Sequence, residues 1–319
     1  MLLRTALAAL VCAIASPGSA QEYPTRPVTV VVPSAAGSLS DILARLVVEK
    51  AAPLFGGKFI VDNRPGASGA IGSAFVARAQ PDGYTILLAN GASHGAFPAL
   101  TKKPAYDPLK DFVPIARVGE TQLALVSSKK LPVANARELL AYAKQHQGKL
   151  SYATFGHGSA GHLFGEVMKK KNAIDMVHVP YKGEALAVQA LMGGEVDLAM
   201  IVSAKPYVDK GDVKLLGGTS PEGSAAYPGW PTLASQGVAG FSQARGFQAF
   251  LAPVGTPDAI VKKLGAALSQ AVNHPDVKGR LLVLGVDPAA EPADRFPEVY
   301  LDLIKQWRAI VEESGVTVD

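Results

Sequence analysis

The chain has 319 residues, of which 48% are hydrophobic, so it is long enough for about two domains with sizeable cores and is not a disordered protein. Its formal net charge is +4, and its lysines are scattered apart from Lys169, Lys170 and Lys171, so no nucleic-acid partner is expected. The single cysteine, Cys12, excludes an intrachain disulfide and a cysteine-held metal cluster.

Residues 1–20 have the pattern of a secretory signal peptide. Arg4 precedes an apolar run at 6–15, and small residues suited to cleavage follow at 16–20. We expect cleavage near Ala20 and export to the periplasm; the alternative is a frayed N-terminal helix. No later stretch approaches the roughly 20 apolar residues of a membrane span, so a soluble mature chain is expected.

Strand-like runs alternate with segments of helical period along the rest of the chain. The runs lie at 28–32, 59–61, 85–88, 123–126, 150–154, 177–179, 198–202 and 214–216. This alternation is typical of βαβ units, and it predicts an α/β fold with mostly parallel sheets.

Several helix ends are also marked in the sequence. Asn135 with Glu138 predicts a capping box, and Thr256 before Pro257 predicts the start of a helix over 259–272. In the last helix an apolar stripe predicts a core-facing side, formed by Phe296, Tyr300, Leu303, Ile304, Trp307, Ile310 and Val311.

Two turns rich in small residues each lie between a predicted strand and a predicted helix. The first covers 33–41 and the second covers 155–162. Backbone N–H groups at such a turn, together with the helix N-terminus, suit an anion. We therefore predict that the two turns hold one anionic ligand between them, through Ser34, Ala35, Ala36, Gly37, Ser38, Leu39, Gly156, His157, Gly158 and Ser159.

Extended segments at 116–126 and 246–253 are the places where the chain is expected to cross between lobes. Two crossings make the first lobe discontinuous, with 21–122 plus 248–319 in lobe 1 and 123–247 in lobe 2. The C-terminal helices then return to pack on lobe 1.

A series of ordered blocks resembles the substrate-binding proteins of tripartite tricarboxylate transporters, the Bug or TctC family. The likeness covers nearly the whole chain after residue 20. The blocks include Arg26-Pro27-Val28 with the first turn, 61–69, Pro81-Asp82-Gly83-Tyr84-Thr85, 106–112, 158–163 with 178–183, Gly193-Gly194-Glu195-Val196-Asp197, and 252–257.

The resemblance implies a two-lobed periplasmic binding protein of type II-like organisation, with a ligand cleft between the lobes. It also implies a monomer without a cofactor that delivers a small organic anion to membrane permease subunits. The anion is held mainly by backbone amides, small hydroxyls and water. Two departures leave the ligand identity open: Gly37-Ser38-Leu39 replaces the usual run of glycines, and Phe247 stands near where tryptophan is common. A di- or tricarboxylate or an aromatic carboxylate is expected, and an amino acid or a neutral vitamin-like molecule stays open.

Five further residues are predicted to contact the ligand. Tyr181 and Lys182 precede a helix near the cleft, and Lys182 is as readily explained as a solvated surface lysine. Ser93 and Ser203 follow predicted strands, where open α/β sheets bind ligands. Phe247 is expected to line the pocket.

Other classes of function have weaker support. Ser159, His157 and His162 suggest a serine hydrolase, but the chain lacks a Gly-x-Ser-x-Gly elbow, so we expect no catalytic residue. The Gly66, Gly69 and Gly72 spacing favours close helix packing over dinucleotide binding, with a cleft-lining role left open. A metal site is not expected, because no third ligand is evident beside His157 and His162. A ligand-binding module for a membrane sensor is the main alternative, ahead of an exported serine hydrolase.

Overall fold

The computed structural model describes residues 23–241, 245–289 and 293–318, and the predicted signal peptide lies outside the described residues. The strands are β1 (Val28–Val32), β2 (Phe59–Asn63), β3 (Thr85–Asn90), β4 (Phe112–Thr121), β5 (Ala124–Ser127), β6 (Leu150–Thr154), β7 (Met176–Pro180), β8 (Leu198–Ile201), β9 (Lys214–Gly218), β10 (Gly246–Pro253) and β11 (Val286–Pro288). All eight predicted strands are confirmed within one or two residues.

The helices are α1 (Leu39–Phe55), α2 (Ala70–Ala77), α3 (Phe97–Leu100), α4 (Ala136–Gln145), α5 (Ala160–Asn172), α6 (Glu184–Gly193), α7 (Lys205–Asp209), α8 (Asp258–Asn273), α9 (Pro275–Val283) and α10 (Phe296–Ser314). Among the described residues, none of these helices has the length and apolar character that crossing a membrane requires.

The strands form two sheets, in the orders β11-β4-β10-β3-β1-β2 and β7-β6-β8-β5-β9. Parallel pairing joins β1 to β2 and β3, and joins β6 to β7 and β8. The prediction of mostly parallel sheets is wrong, because β5 and β10 enter their sheets from the other sheet and run antiparallel to both neighbours. Sequence periodicity within one segment does not report this reversal of direction.

The chain passes between the sheets twice, between β4 and β5 and again between β9 and β10. At these passages Leu123 N donates to Thr219 Oγ1 at 3.0 Å, and Thr219 N donates to Leu123 O at 2.9 Å. The two passages are therefore hydrogen-bonded side by side. This mixed α/β architecture with two sheets confirms the predicted two-lobed fold.

Helix ends confirm one cap and correct another. Asn135 Oδ1 accepts from Glu138 N at 2.9 Å, as expected, while the Glu138 carboxylate accepts from the Ala134 amide. Thr256 does not cap α8, because its hydroxyl donates to Pro253 O and Pro257 occupies the N-cap position.

The predicted stripe of α10 is buried throughout, with Trp307 1% exposed. Helix α10 also contacts the half of the molecule that contains the five-stranded sheet, because the Trp307 ring lies 6.0 Å from the Phe164 ring of α5. Lys171 and Glu313 form a further ion pair between α5 and α10. Helix α10 therefore joins the two halves of the molecule in addition to the two chain passages, whereas the sequence predicted packing on lobe 1 only.

Candidate functional site

A cavity of about 450 Å³ lies where the carboxyl ends of four parallel strands meet. Its lining begins at the ends of β1, β2, β3 and β6, and the volume is in the range of small-molecule sites. The lining residues are Pro33, Ser34, Pro65, Gly66, Ala67, Ser68, Gly69, Asn90, Ala92, Ala96, Phe97, Leu100, Phe155, Gly156, His157, Gly158, Ser159 and Val318. No lysine or arginine is among them, so hydrogen bonding to a ligand falls to amides and hydroxyls.

On the side of the six-stranded sheet, the wall includes a turn at 65–69 with unusual backbone geometry. Gly66, Ala67, Ser68 and Gly69 have φ values of 125°, 47°, 53° and 93°. Left-handed conformations at non-glycine residues cost about 1–3 kcal/mol each and cluster at functional sites. Among the described residues, no protein acceptor is found for the amides of Ala67 and Ser68. Two adjacent donors are thus available at this wall.

This turn was not among the site residues predicted from the sequence. The spacing of its glycines predicted close packing, which the structure confirms at Gly72, where a Cβ would lie 2.8 Å from Arg64 O. The cleft-lining role left open for Gly66 and Gly69 is also found. The available signal was the Pro-Gly-Ala-Ser-Gly run directly after a strand end.

The opposite wall is the turn at 155–159, and it leads into α5. Ser159 caps the helix, with its Oγ accepting from His162 N at 3.4 Å, and the first turn of α5 contains no acidic residue. The hydroxyl proton of Ser159 and the positive end of the α5 dipole are therefore available to an anion. Gly158 differs from the prediction, because its amide donates to His162 Nδ1 at 3.1 Å.

The first predicted turn contributes Pro33 and Ser34 to the cavity lining, and Ser34 is the one predicted ligand contact among them. Gly37 N donates to Asp41 Oδ2 at 2.9 Å, and Ser38 Oγ accepts from Asp41 N. Asp41 also pairs with Arg45 at 3.0 Å. Burial raises the pKa of Asp41, but hydrogen bonds from Arg45 and the Gly37 amide outweigh it and hold the pKa below its usual range.

A carboxylate from the chain itself thus occupies the N-terminus of α1. The structure accordingly does not bring Ala35, Ala36, Gly37, Ser38 and Leu39 into the cavity lining. The two turns are not equivalent half-sites, and the turn at 65–69 lies opposite α5 in their place.

The five other predicted contacts also lie outside the lining. Ser93 is fully buried, and its Oγ bonds to Asn90 and His94. Phe247 is a core residue whose ring lies 6.1 Å from that of Tyr300.

The remaining three predicted contacts are Tyr181, Lys182 and Ser203, which lie in the half of the molecule that contains the five-stranded sheet. Tyr181 packs at the edge of that half's core, and Lys182 is exposed. Ser203 is exposed, and its amide donates to Glu184 Oε1 at 2.7 Å. Glu184 therefore occupies the amides after β8, which would otherwise face an anion.

Three histidines cluster at the wall formed by 155–159, and His157 belongs to that wall. The rings of His162 and His178 stack at 3.8 Å with an interplanar angle of 9°, and the His157 ring lies 4.7 Å from His162. His178 is the third histidine of the cluster, and the sequence did not predict it there. It lies on β7, which pairs with β6 so that His178 is beside Tyr152, and a contact of that kind depends on sheet order.

Burial, with a smaller effect of the neighbouring histidines, lowers the pKa of both His162 and His178 to about 4. The carboxylate of Glu166 opposes this effect. The rings of His162 and His178 are therefore neutral near pH 7.

Among the described residues, no hydrogen bond joins the Ser159 hydroxyl to a histidine ring. Ser159 Oγ accepts from the His162 backbone amide, and His162 Nδ1 accepts from Gly158 N. A base must receive the serine proton through a ring nitrogen.

A second cavity, of about 510 Å³, is lined by charged side chains. Arg245 pairs with Glu120 and Glu222 at 2.9 Å each, and Arg117 pairs with Glu120 at 2.5 Å. Because both arginines are neutralised by carboxylates, this cavity is a poorer anion site than the one at the strand ends.

The two sheets, the paired passages and a cavity at the strand ends define a two-lobed periplasmic binding protein. A family model described as the tripartite tricarboxylate transporter family receptor, TctC, matches residues 43–316. The chain belongs to this family, whose members are periplasmic solute-binding receptors. The resemblance predicted from the sequence is confirmed.

Three solved structures are similar to the chain. The periplasmic binding protein BugD is 34% identical with a TM-score of 0.76, covering 92% of this chain and 99% of that one. Rpa4515 of R. palustris, solved with adipate, is 30% identical with a TM-score of 0.79, covering 92% and 99%. MatC of Rhodopseudomonas palustris, solved with bound malate, is 34% identical with a TM-score of 0.75, covering 91% and 100%.

Proposed function

We propose that this protein binds a small aliphatic dicarboxylate in the cavity at the strand ends and delivers it to the membrane subunits of a tripartite tricarboxylate transporter. The observation that carries the proposal is the pair of opposed walls. The free amides of Ala67 and Ser68 lie on one wall, and the hydroxyl of Ser159 with the α5 N-terminus lies on the other. Two separated donor sets suit a ligand with a carboxylate at each end.

The apolar part of the cavity lining favours an apolar ligand body. Phe97, Leu100, Phe155 and Val318 are all part of the lining. Adipate and malate in two similar proteins support a ligand of this class. An aromatic carboxylate or a tricarboxylate places more bulk or charge in the middle and is expected to bind less tightly.

The proposals on export, oligomeric state and lobe boundaries are based on the same family match. We propose export by a signal peptide at 1–20, a monomeric receptor without catalytic activity, and lobes formed by 21–122 plus 248–319 and by 123–247. Each lobe then contains one of the two sheets, and the cavity lies between them. Delivery to permease subunits, in preference to a membrane sensor, is supported by the family match.

A thermal-shift panel of aliphatic, hydroxy, amino and aromatic carboxylates tests this function. A ligand at about 100 times its Kd adds roughly 2.7 kcal/mol to the free energy of unfolding, which gives a clear rise in Tm. We expect the largest rise with aliphatic dicarboxylates and recovery of the compound unchanged by mass spectrometry. No shift with any carboxylate contradicts the proposal, and a chemically altered compound indicates an enzyme.

A further inference from the structure

The three histidines behind the second wall have the composition and proximity of a transition-metal site. His157, His162 and His178 each offer one ring nitrogen, and these three atoms all lie within 4.8 Å of one another. They come from three elements: the turn at 155–159, helix α5 and strand β7. His157 is also part of the cavity lining, so the cluster lies between the ligand cavity and the sheet.

Hydrogen bonds at the far side of two rings orient their free nitrogens. His157 Nε2 lies 3.2 Å from Thr317 O, which only accepts, so this nitrogen carries the proton and Nδ1 keeps its lone pair. His178 Nε2 lies 2.8 Å from Thr154 Oγ1, whose own proton is directed to Gly156 O at 3.2 Å. Metal-binding histidines commonly donate their second N–H to an oxygen in this way.

His162 is the ligand that must be released from another partner. Its Nδ1 accepts from the Gly158 amide, and its ring is stacked on His178. Nitrogen ligands about 2.1 Å from a zinc ion lie about 3.4 Å apart, so metal binding has to draw the rings together by up to about 1.4 Å. The exposed His157, flanked by Gly156 and Gly158 with φ values of 142° and 70°, is placed to make this adjustment.

The charges around the cluster leave the rings available. Lys169 pairs with Glu166 at 3.0 Å, and Glu166 also accepts from Tyr152 at 2.7 Å, so the adjacent cation is neutralised.

We propose that His157, His162 and His178 bind a divalent transition metal ion of the zinc class on the second wall of the cavity. Imidazole nitrogens suit zinc, copper and nickel, and three protein ligands leave a fourth position open. Because His157 lines the cavity, one carboxylate of the ligand would be able to complete the coordination there. This last step rests on the proposed carboxylate function, whereas metal binding itself does not.

The test is a calorimetric titration of the untagged, EDTA-dialysed protein with Zn²⁺. We expect one ion per chain. Thr154→Val keeps all three rings but removes the oxygen beside His178, and it is expected to weaken Zn²⁺ binding about 10- to 100-fold. His157→Ala and His178→Ala are expected to weaken it at least as much. The matched control is His146→Ala, whose ring stacks on Tyr142 in α4 and is outside the cluster.

The outcomes separate the metal site from the carboxylate site. Absence of Zn²⁺ binding, or equal binding in a His157→Ala, His178→Ala double variant, overturns the metal proposal. His157 is exposed, so the single His157→Ala variant stays folded and remains a valid test if His178→Ala does not fold.

Dicarboxylate titrations with EDTA and with Zn²⁺ complete the test. Binding that is tighter with Zn²⁺ supports the shared coordination, and equal binding refutes it. If the unmodified protein binds no dicarboxylate either with EDTA or with Zn²⁺, the proposed function is contradicted instead.

Discussion

Replacing Ser159 by aspartate should weaken ligand binding while preserving the fold. Aspartate caps helices about as well as serine does, and a negative charge at the α5 N-terminus is favourable, so stability is expected to hold or rise slightly. A ligand carboxylate that now bonds to Ser159 would lie about 5 Å from the new carboxylate. At an effective dielectric constant of about 20, this repulsion is about 3 kcal/mol, or roughly a 100- to 300-fold loss of affinity.

The assay is calorimetric titration with the dicarboxylate that gives the largest thermal shift, and Tm is measured for each variant. Asn135→Asp is the charge-matched control, since Asn135 also caps a helix but lies outside the cavity. Ser38→Asp tests the first turn, because Ser38 has nearly the same N-cap geometry as Ser159, with φ −68° against −69°. We expect both controls to bind normally. A folded Ser159→Asp protein with unchanged affinity would refute the assignment of this wall to the ligand.

Three further predictions concern the cavity, helix α10 and the N-terminus of α1. Gly158→Ala should cost about 1–2 kcal/mol for its left-handed backbone, and its Cβ would also lie 2.9 Å from the C-terminal tail, so ligand affinity should fall too. Gly211→Ala, with φ +68° and open space, is the control for the backbone cost alone, and equal effects in both variants would contradict the packing argument. Trp307→Ala should lower the free energy of unfolding by about 3–5 kcal/mol in urea denaturation, and a loss below about 1 kcal/mol would show that the helix packs loosely. Because the folded-state pKa of Asp41 is lowered, its stabilising effect is present above the unfolded pKa and is lost as pH falls below about 4. Tm measured between pH 6 and 2 should therefore fall less steeply in Asp41→Asn, and parallel curves would refute the role of the Arg45 pair.

Local signals predicted much of the fold. The run Val28–Val32 is apolar along its whole length because both faces of this strand are covered, and strands of this kind appear in a sequence as continuous apolar segments. The stripe on α10 gave the buried side of that helix in full, since helical period is a property of the segment itself. The second turn was also found, because Ser159 caps a helix directly after a strand.

The rest of the site depends on contacts between distant segments. Asp41 occupies the N-terminus of α1, and nothing in the sequence distinguishes this internal cap from a free half-site. His178 joins the histidine cluster only through sheet register. Val318 reaches the cavity because α10 spans both halves of the molecule, which its apolar stripe alone does not indicate.

The proposed binding mode can be checked in a crystal structure of the protein with the dicarboxylate that it binds most tightly. We expect the ligand between the halves that contain the two sheets, with one carboxylate bonded to the amides of Ala67 and Ser68 and the other to the Ser159 hydroxyl. A dicarboxylate bound in the arginine-lined cavity beside Arg245, or at the α1 N-terminus in place of Asp41, would contradict it.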